Sequence, residues 1–184
     1  MNKLVFIFLS LFVIQGCSVS TTKLDLKANI TKTDVITIPK PDFSESDKST
    51  VLLTTDYNND KRKLIVLTEN TKNTLVLTGV TTSYINLFTL TYTKDGIKLQ
   101  TKLPERMLPT VNQVLLDIML CKSENLDNEL NENYVVKDST DKRIITDKQG
   151  KIIYNISFKS INNKRLPVVV DNQEFSYKIY LKYL

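Results

Sequence analysis

From Thr50 to Tyr183 the apolar residues recur in short runs and alternations about ten residues apart, and this rhythm gives way to a helical period over Val111–Leu120. Side chains alternate between the two faces of a strand, whereas in a helix they return to one face every three to four residues. A chain written this way is constrained to a large antiparallel sheet built around a central helix. The clearest strand is the last. Phe175, Tyr177, Ile179, Leu181 and Tyr183 share one face, while Ser176, Lys178, Tyr180 and Lys182 share the other, the pattern of a strand with one buried and one wet side. Five strands are expected before the helix, at Val51–Leu53, Lys63–Leu67, Thr74–Val80, Tyr84–Tyr92 and Ile97–Leu99. Turns separate them at Tyr57–Asp60, Asn70–Asn73 and Asp95-Gly96, the last favoured because glycine accepts positive φ. Four or five more follow the helix, at Tyr134–Val136, Arg143–Ile145, Lys151–Phe158, Leu166–Val170 and Phe175–Tyr183, with a turn at Asp147–Gly150.

Pro104 and Pro109 break the sheet pattern before the helix, and Thr110 to Gln113 has capping-box spacing. Val111, Val114, Leu115 and Ile118 fall on one helical face, and Leu116, Met119 and Leu120 extend the apolar surface around most of the circumference. The polar positions are chiefly Asn112, Gln113 and Asp117. A helix resting on the outside of a sheet needs a single apolar stripe, so this one is expected within the concave side of a curved sheet. Ser123 to Asn131 reads as a second, polar helix. The expected fold is mainly β (α+β): a curved antiparallel sheet forming an open half-barrel with a helical plug. Val111, Leu115, Leu116, Ile118, Met119 and Leu120 are the candidate cavity residues. The sequence leaves open whether they border a cavity or a filled core.

The N-terminus speaks to location. After Lys3, the run Leu4–Ile14 is uncharged and rises only about 16 Å as a helix, roughly half a bilayer core, so it reads as an export signal and not a span. Ile14-Gln15-Gly16-Cys17 resembles the lipobox of bacterial lipoproteins. That resemblance implies cleavage before Cys17 and acylation of Cys17 on sulfur and nitrogen, and Ser18 in the following position points to the outer membrane. The expected organisation is a signal peptide at 1–16, a lipidated N-terminus and tether at 17–49, and one domain at 50–184. The tether is rich in Ser, Thr, Lys and Asp, and some thirty flexible residues would reach about 30 Å. Val35–Ile38 is the exception within it, reading as a short strand added to the sheet edge.

Composition excludes more than it assigns. The chain has no His and no Trp, which removes His-dependent nucleophilic sites and the commonest zinc ligand. With Cys17 acylated, Cys121 has no intramolecular partner, and after the apolar run Ile118–Leu120 it reads as a small core residue and not a reactive thiol. Only Gly79, Gly96 and Gly150 follow the signal, too few and too scattered for a phosphate-binding loop. The net charge of +5 is interspersed, as in Asp60–Lys63, and no basic run alternates with aromatics, so no nucleic-acid partner is expected. Asp56–Asp60 starts like a calcium loop but has Lys61 where glycine is required and Leu67 where a bidentate Glu is required, so it reads as a polar hairpin turn. Ser139–Lys142 fits Ser-x-x-Lys without its partner motifs. No catalytic residue, metal site or cofactor is expected.

Leu75–Gly79, Ile85–Phe88, Asp95-Gly96, Leu103-Pro104, the helix Val111–Leu120, Arg143–Ile145, the Gly150 turn and Ile153–Phe158, in that order and spacing, resemble an uncharacterised family of Gram-negative outer-membrane lipoproteins, domain of unknown function 3261. The resemblance covers residues 45–184. It implies a fold like that of the lipoprotein-localisation carriers LolA and LolB, whose curved sheet and helical plug enclose an apolar cavity. The family commonly has Trp-Pro after the central helix, where this chain has Cys121-Lys122. The expected function is that of a non-enzymatic, periplasm-facing outer-membrane lipoprotein that binds or transfers an acyl lipid or a lipoprotein. The alternative is a scaffold or accessory subunit that meets a protein partner in an envelope or lipid-export assembly.

Overall fold

A computed structural model of the chain describes residues 20–24, 26–101, 111–126, 130 and 132–184. The signal, Cys17, the two prolines before the helix and Thr110 lie outside them, as does much of the expected second helix. The described chain is mainly β. It opens with β1 (Ser20–Leu24), β2 (Lys27–Asn29) and β3 (Val35–Thr37), followed by a meander of β4 (Asp47–Tyr57), β5 (Asp60–Thr71), β6 (Thr74–Val80), β7 (Asn86–Thr93) and β8 (Gly96–Thr101). The helix α1 (Val111–Lys122) leads to a second meander of β9 (Tyr134–Asp138), β10 (Lys142–Asp147), β11 (Ile152–Ile161), β12 (Lys164–Asn172) and β13 (Tyr177–Tyr183). All ten strands expected from residue 50 onward are present.

Eleven strands form one open antiparallel sheet in the order β1-β8-β7-β6-β5-β4-β13-β12-β11-β10-β9, and β2 and β3 form a separate ribbon. The first meander runs from the middle of the sheet out to one side, and the second runs from the far edge back to the middle. Between them, the segment containing α1 crosses from β8 to β9. The meanders meet at a seam where β13 pairs with β4, from Tyr177 opposite Tyr57 to Tyr183 opposite Val51.

Hairpin geometry follows from the turn residues. Asn58 and Asn59, and likewise Asn162 and Asn163, take positive φ and reverse the chain between β4 and β5 and between β11 and β12. Asp147 Oδ1 accepts the amides of Gln149 and Lys151, and Gly150 closes that turn at φ 83°. Pro167 sits opposite Phe158, next to a bulge that leaves Val168 of β12 unpaired with β11. It has no N–H to give to a ladder, and β12 pairs with β13 only over Val169–Asn172. Beyond that point the two strands part, although β13 continues along β4.

The core lies between α1 and one face of the sheet. Leu115, Leu116, Met119 and Leu120 are fully buried, and they share a single cluster with Leu75, Leu77, Leu90, Tyr92, Ile97, Ile145 and Ile156 from across the sheet. The N-terminal segment corrects an expectation. Residues 26–49 are not a free tether, because Ala28, Ile30, Ile36, Ile38 and Phe43 are buried in the same cluster. Tyr92 donates its hydroxyl to the carbonyls of Ile38 and Pro39, and Asn112 on α1 donates to the carbonyl of Lys27. Val35–Thr37 is a strand, but it pairs with β2 and not with the main sheet.

Candidate functional site

Where α1 passes over the β4–β13 seam, helix and sheet leave a cleft of about 500 Å³. Its floor is Val51 and Leu53 of β4, Ile179 and Leu181 of β13, Val170 of β12 and Phe158 of β11. Its helical wall is Val114, Ile118 and Cys121, which recur at helical spacing along one side of α1. Lys164, Arg165 and Leu166, on the stretch of β12 before Val169 that does not pair with β13, also line the cleft. The size is that of a small-molecule pocket, and its exposed surface is mainly apolar, although about half of the lining residues are polar or charged, among them Glu45, Asp47, Lys122, Glu124 and Arg165. A second hollow, about 650 Å³, has Lys48, Glu69, Thr78 and Asn162 among its lining residues and lacks a comparable apolar floor.

The helix face is not the expected one. Of the six candidates only Ile118 lines the cleft. Leu115, Leu116, Met119 and Leu120 are spent on core packing, and Val111 packs against that core. The interior therefore combines both alternatives: one side of α1 is filled and the adjacent side borders open space.

The polar groups are highly ordered. Asp117, 4% exposed, lines the cleft beside the helical wall. Its carboxylate accepts the Tyr154 hydroxyl at 2.9 Å and the Tyr177 hydroxyl at 2.8 and 2.7 Å, and the Gln113 amide reaches it at 3.4 Å. Burial pushes its pKa up from the usual carboxylate range to about 6, against the opposing pull of those three donors. Gln113, expected to reach back toward the start of the helix, instead donates inward to Tyr154 at 2.8 Å. At the other end of α1, Arg143 is buried and donates to the carbonyls of Leu120 at 2.6 Å and Ser123 at 3.0 Å, satisfying orphan acceptors at the helix C-terminus. Asp138 binds Arg143 at 2.5 Å and also pairs with Arg165, whose guanidinium lies 3.6 Å from the centroid of the Phe158 ring. Burial would raise the Asp138 pKa, but the hydrogen bonds from the two arginines hold it below the ordinary value. Lys164 pairs with Asp47 at 2.7 Å. Lys122 reaches the Asn70 side-chain oxygen at 3.1 Å.

Burial pushes the Cys121 thiol up to about 12, so it stays protonated at neutral pH. Asp117 already accepts hydrogen bonds at both oxygens. Among the described residues no cluster of three metal-binding side chains occurs, and no helix is long and apolar enough to cross a membrane. Asp117 and Lys122 were not singled out from sequence. The only available signal was a charge within, or at the end of, an otherwise apolar helix.

A family model described as a protein of unknown function (DUF3261) matches residues 49–184. No curated protein matches the chain.

Proposed function

Since the chain belongs to the DUF3261 family, whose function is unknown, the functional reading has to come from the cleft, and we propose that the protein is a non-catalytic outer-membrane lipoprotein that holds or passes on an apolar ligand, an acyl lipid or an acylated protein. The observation that carries this is the cleft of about 500 Å³ with its floor of Val51, Leu53, Phe158, Val170, Ile179 and Leu181. Because the cleft opens to solvent, its apolar floor faces water, and a ligand that covered it would remove that surface from water at about 25 cal/mol per Å². The lipobox at Ile14–Cys17 supplies the other half of the reading. Acylation on sulfur and nitrogen would hold the domain at a leaflet, each buried CH₂ adding about 0.8 kcal/mol, and would bring the cleft to the source of its ligand. An open sheet with α1 over one face supports reading the architecture as a half-barrel with a helical plug, of the LolA/LolB kind.

The test uses the full chain carrying Cys17→Ser, so that it has no acyl group of its own. Native mass spectrometry is expected to find acyl lipid co-purifying or taken up from added fatty acid. Ile118→Trp, which fills the cleft, is expected to reduce uptake at least tenfold without unfolding the protein. Apo protein alone, with no uptake of added fatty acid, would refute the reading.

The accessory-subunit reading has one observation of its own. Tyr84 and Ile85, in the turn between β6 and β7, are 73% and 63% exposed. If that turn is a protein contact, a photo-crosslinker at Tyr84 should capture one dominant envelope partner, and Ile85→Ser should abolish the capture while fatty-acid uptake is retained.

A further inference from the structure

The cations around the cleft are not equivalent. Arg143 and Arg165 share the single Asp138 carboxylate and give further N–H groups to the backbone carbonyls of Leu120, Ser123, Ser139 and Thr140, while Lys164 pairs with Asp47. Lys122 is in no ion pair among the described residues. Its recorded hydrogen bond goes to a neutral acceptor, the Asn70 Oδ1, and its ammonium lies 6.0 Å from the Phe43 ring centroid. Asn70 is itself buried and is fixed by donating its amide to the Glu45 carbonyl at 2.8 Å, so the ammonium is held in place by a partner that leaves its charge unneutralised. The acidic groups that face this end of the cleft are Glu45, Asp47 and Glu124. Asp47 is committed to Lys164; Glu124 accepts the neutral Ser44 hydroxyl at 2.6 Å, and among the described residues neither it nor Glu45 is ion-paired with Lys122. An ammonium has three donors, and a charge withdrawn from water without a counter-charge is costly. Burial accordingly pulls the Lys122 pKa below the ordinary lysine value.

We propose that Lys122 receives the anionic head group of a single-chain amphiphile, a fatty carboxylate or a monoalkyl phosphate, whose tail lies against Ile118 and Val114 over the floor of the seam. Val114 and Lys122 are separated by about 12 Å along the helix axis, so head and tail contacts fall in one line along the cleft. The proposal rests on the acyl-binding reading and narrows it. A chain held in ester or amide linkage brings no charge and leaves Lys122 as it is, whereas a free carboxylate or phosphate supplies the missing counter-ion and accepts its unused donors.

The experiment compares palmitate, methyl palmitate, hexadecanol and monohexadecyl phosphate, each below its aggregation concentration, by displacement of a fluorescent fatty-acid analogue from the full chain carrying Cys17→Ser. Palmitate or the phosphate is expected to bind at least tenfold more tightly than the ester and the alcohol, and whichever is tighter identifies the head group. Lys122→Met is expected to abolish that preference while retaining ester affinity, and Lys122→Arg to keep it. Circular dichroism of both variants controls for folding, and the wild-type comparison stands without them. Equal affinity for charged and neutral ligands, or a preference that survives in Lys122→Met, overturns the head-group assignment but leaves the acyl cleft standing. Failure of all four to bind overturns both.

Discussion

Asp117 places a carboxylate where water does not reach, and Tyr154, Tyr177 and Gln113 supply the compensating donors. Its pKa rises from 3.8 to about 6 on burial, so between those values the folded state binds the extra proton. The stabilisation is complete below about pH 3.8 and is lost as pH rises through about 6, a change on the order of 3 kcal/mol. Asp138 and Glu174 act in the opposite sense. Asp138 is held down by Arg143 and Arg165, and Glu174 by Lys151, so their contributions are lost as pH falls. The clean measurement is therefore a difference: in urea titrations Asp117→Asn should gain about 2 kcal/mol relative to wild type between pH 4 and pH 7. Arg143→Met removes the Arg143 hydrogen bonds to the Leu120 and Ser123 carbonyls and leaves Asp138 with Arg165, and should cost about 3 kcal/mol in the same assay. Neither role was legible in the sequence. Asp117 and Arg143 look like ordinary polar positions until the elements they lie on are packed against each other.

Within elements, period-two patterning placed β4 to β13 correctly because it reflects local geometry that each strand carries by itself. The same patterning could not say which side of α1 meets the sheet, since seven of the helix residues are apolar around most of its circumference. The sequence leaves open whether Leu115 and Leu116 border a cavity or a filled core; in the structure they fill the core, and Val114, Ile118 and Cys121 border the cleft. The distinction can be tested in one pair of variants. Leu116→Ala should cost about 2–5 kcal/mol of stability and leave ligand affinity within about twofold, whereas Ile118→Trp should do the reverse. In β6, Gly79 lies directly opposite Phe88, whose ring covers it, and any Cβ there would collide with that ring. Gly79→Ala should lower stability by about 1–3 kcal/mol, and adding Phe88→Leu should recover part of the loss in thermal melts.

At the scale of the molecule, the family match begins at residue 49, inside β4, but the core does not. Ile30, Ile36, Ile38 and Phe43 are buried in it, and at about 1.5–3 kcal/mol for each side chain their removal is comparable to the whole stability of a typical domain. A chain starting at Ser49 should therefore fail to give a cooperative unfolding transition, while one starting at Ser20 should unfold cooperatively. This contribution was hidden in the sequence because isolated apolar residues in a polar stretch carry no period, and their burial depends on a surface built by distant strands. The same holds for the pairing of β13 with β4, since nothing local records which strand lies beside which. That pairing joins the earliest long strand to the final one across the centre of the molecule. A polypeptide delivered N-terminus first, by a ribosome or through an export channel, must therefore wait for Tyr177–Tyr183 to arrive before its two halves can be stitched together. Any stop codon, protease nick or bulky fusion at the tail would strike the keystone, not the fringe.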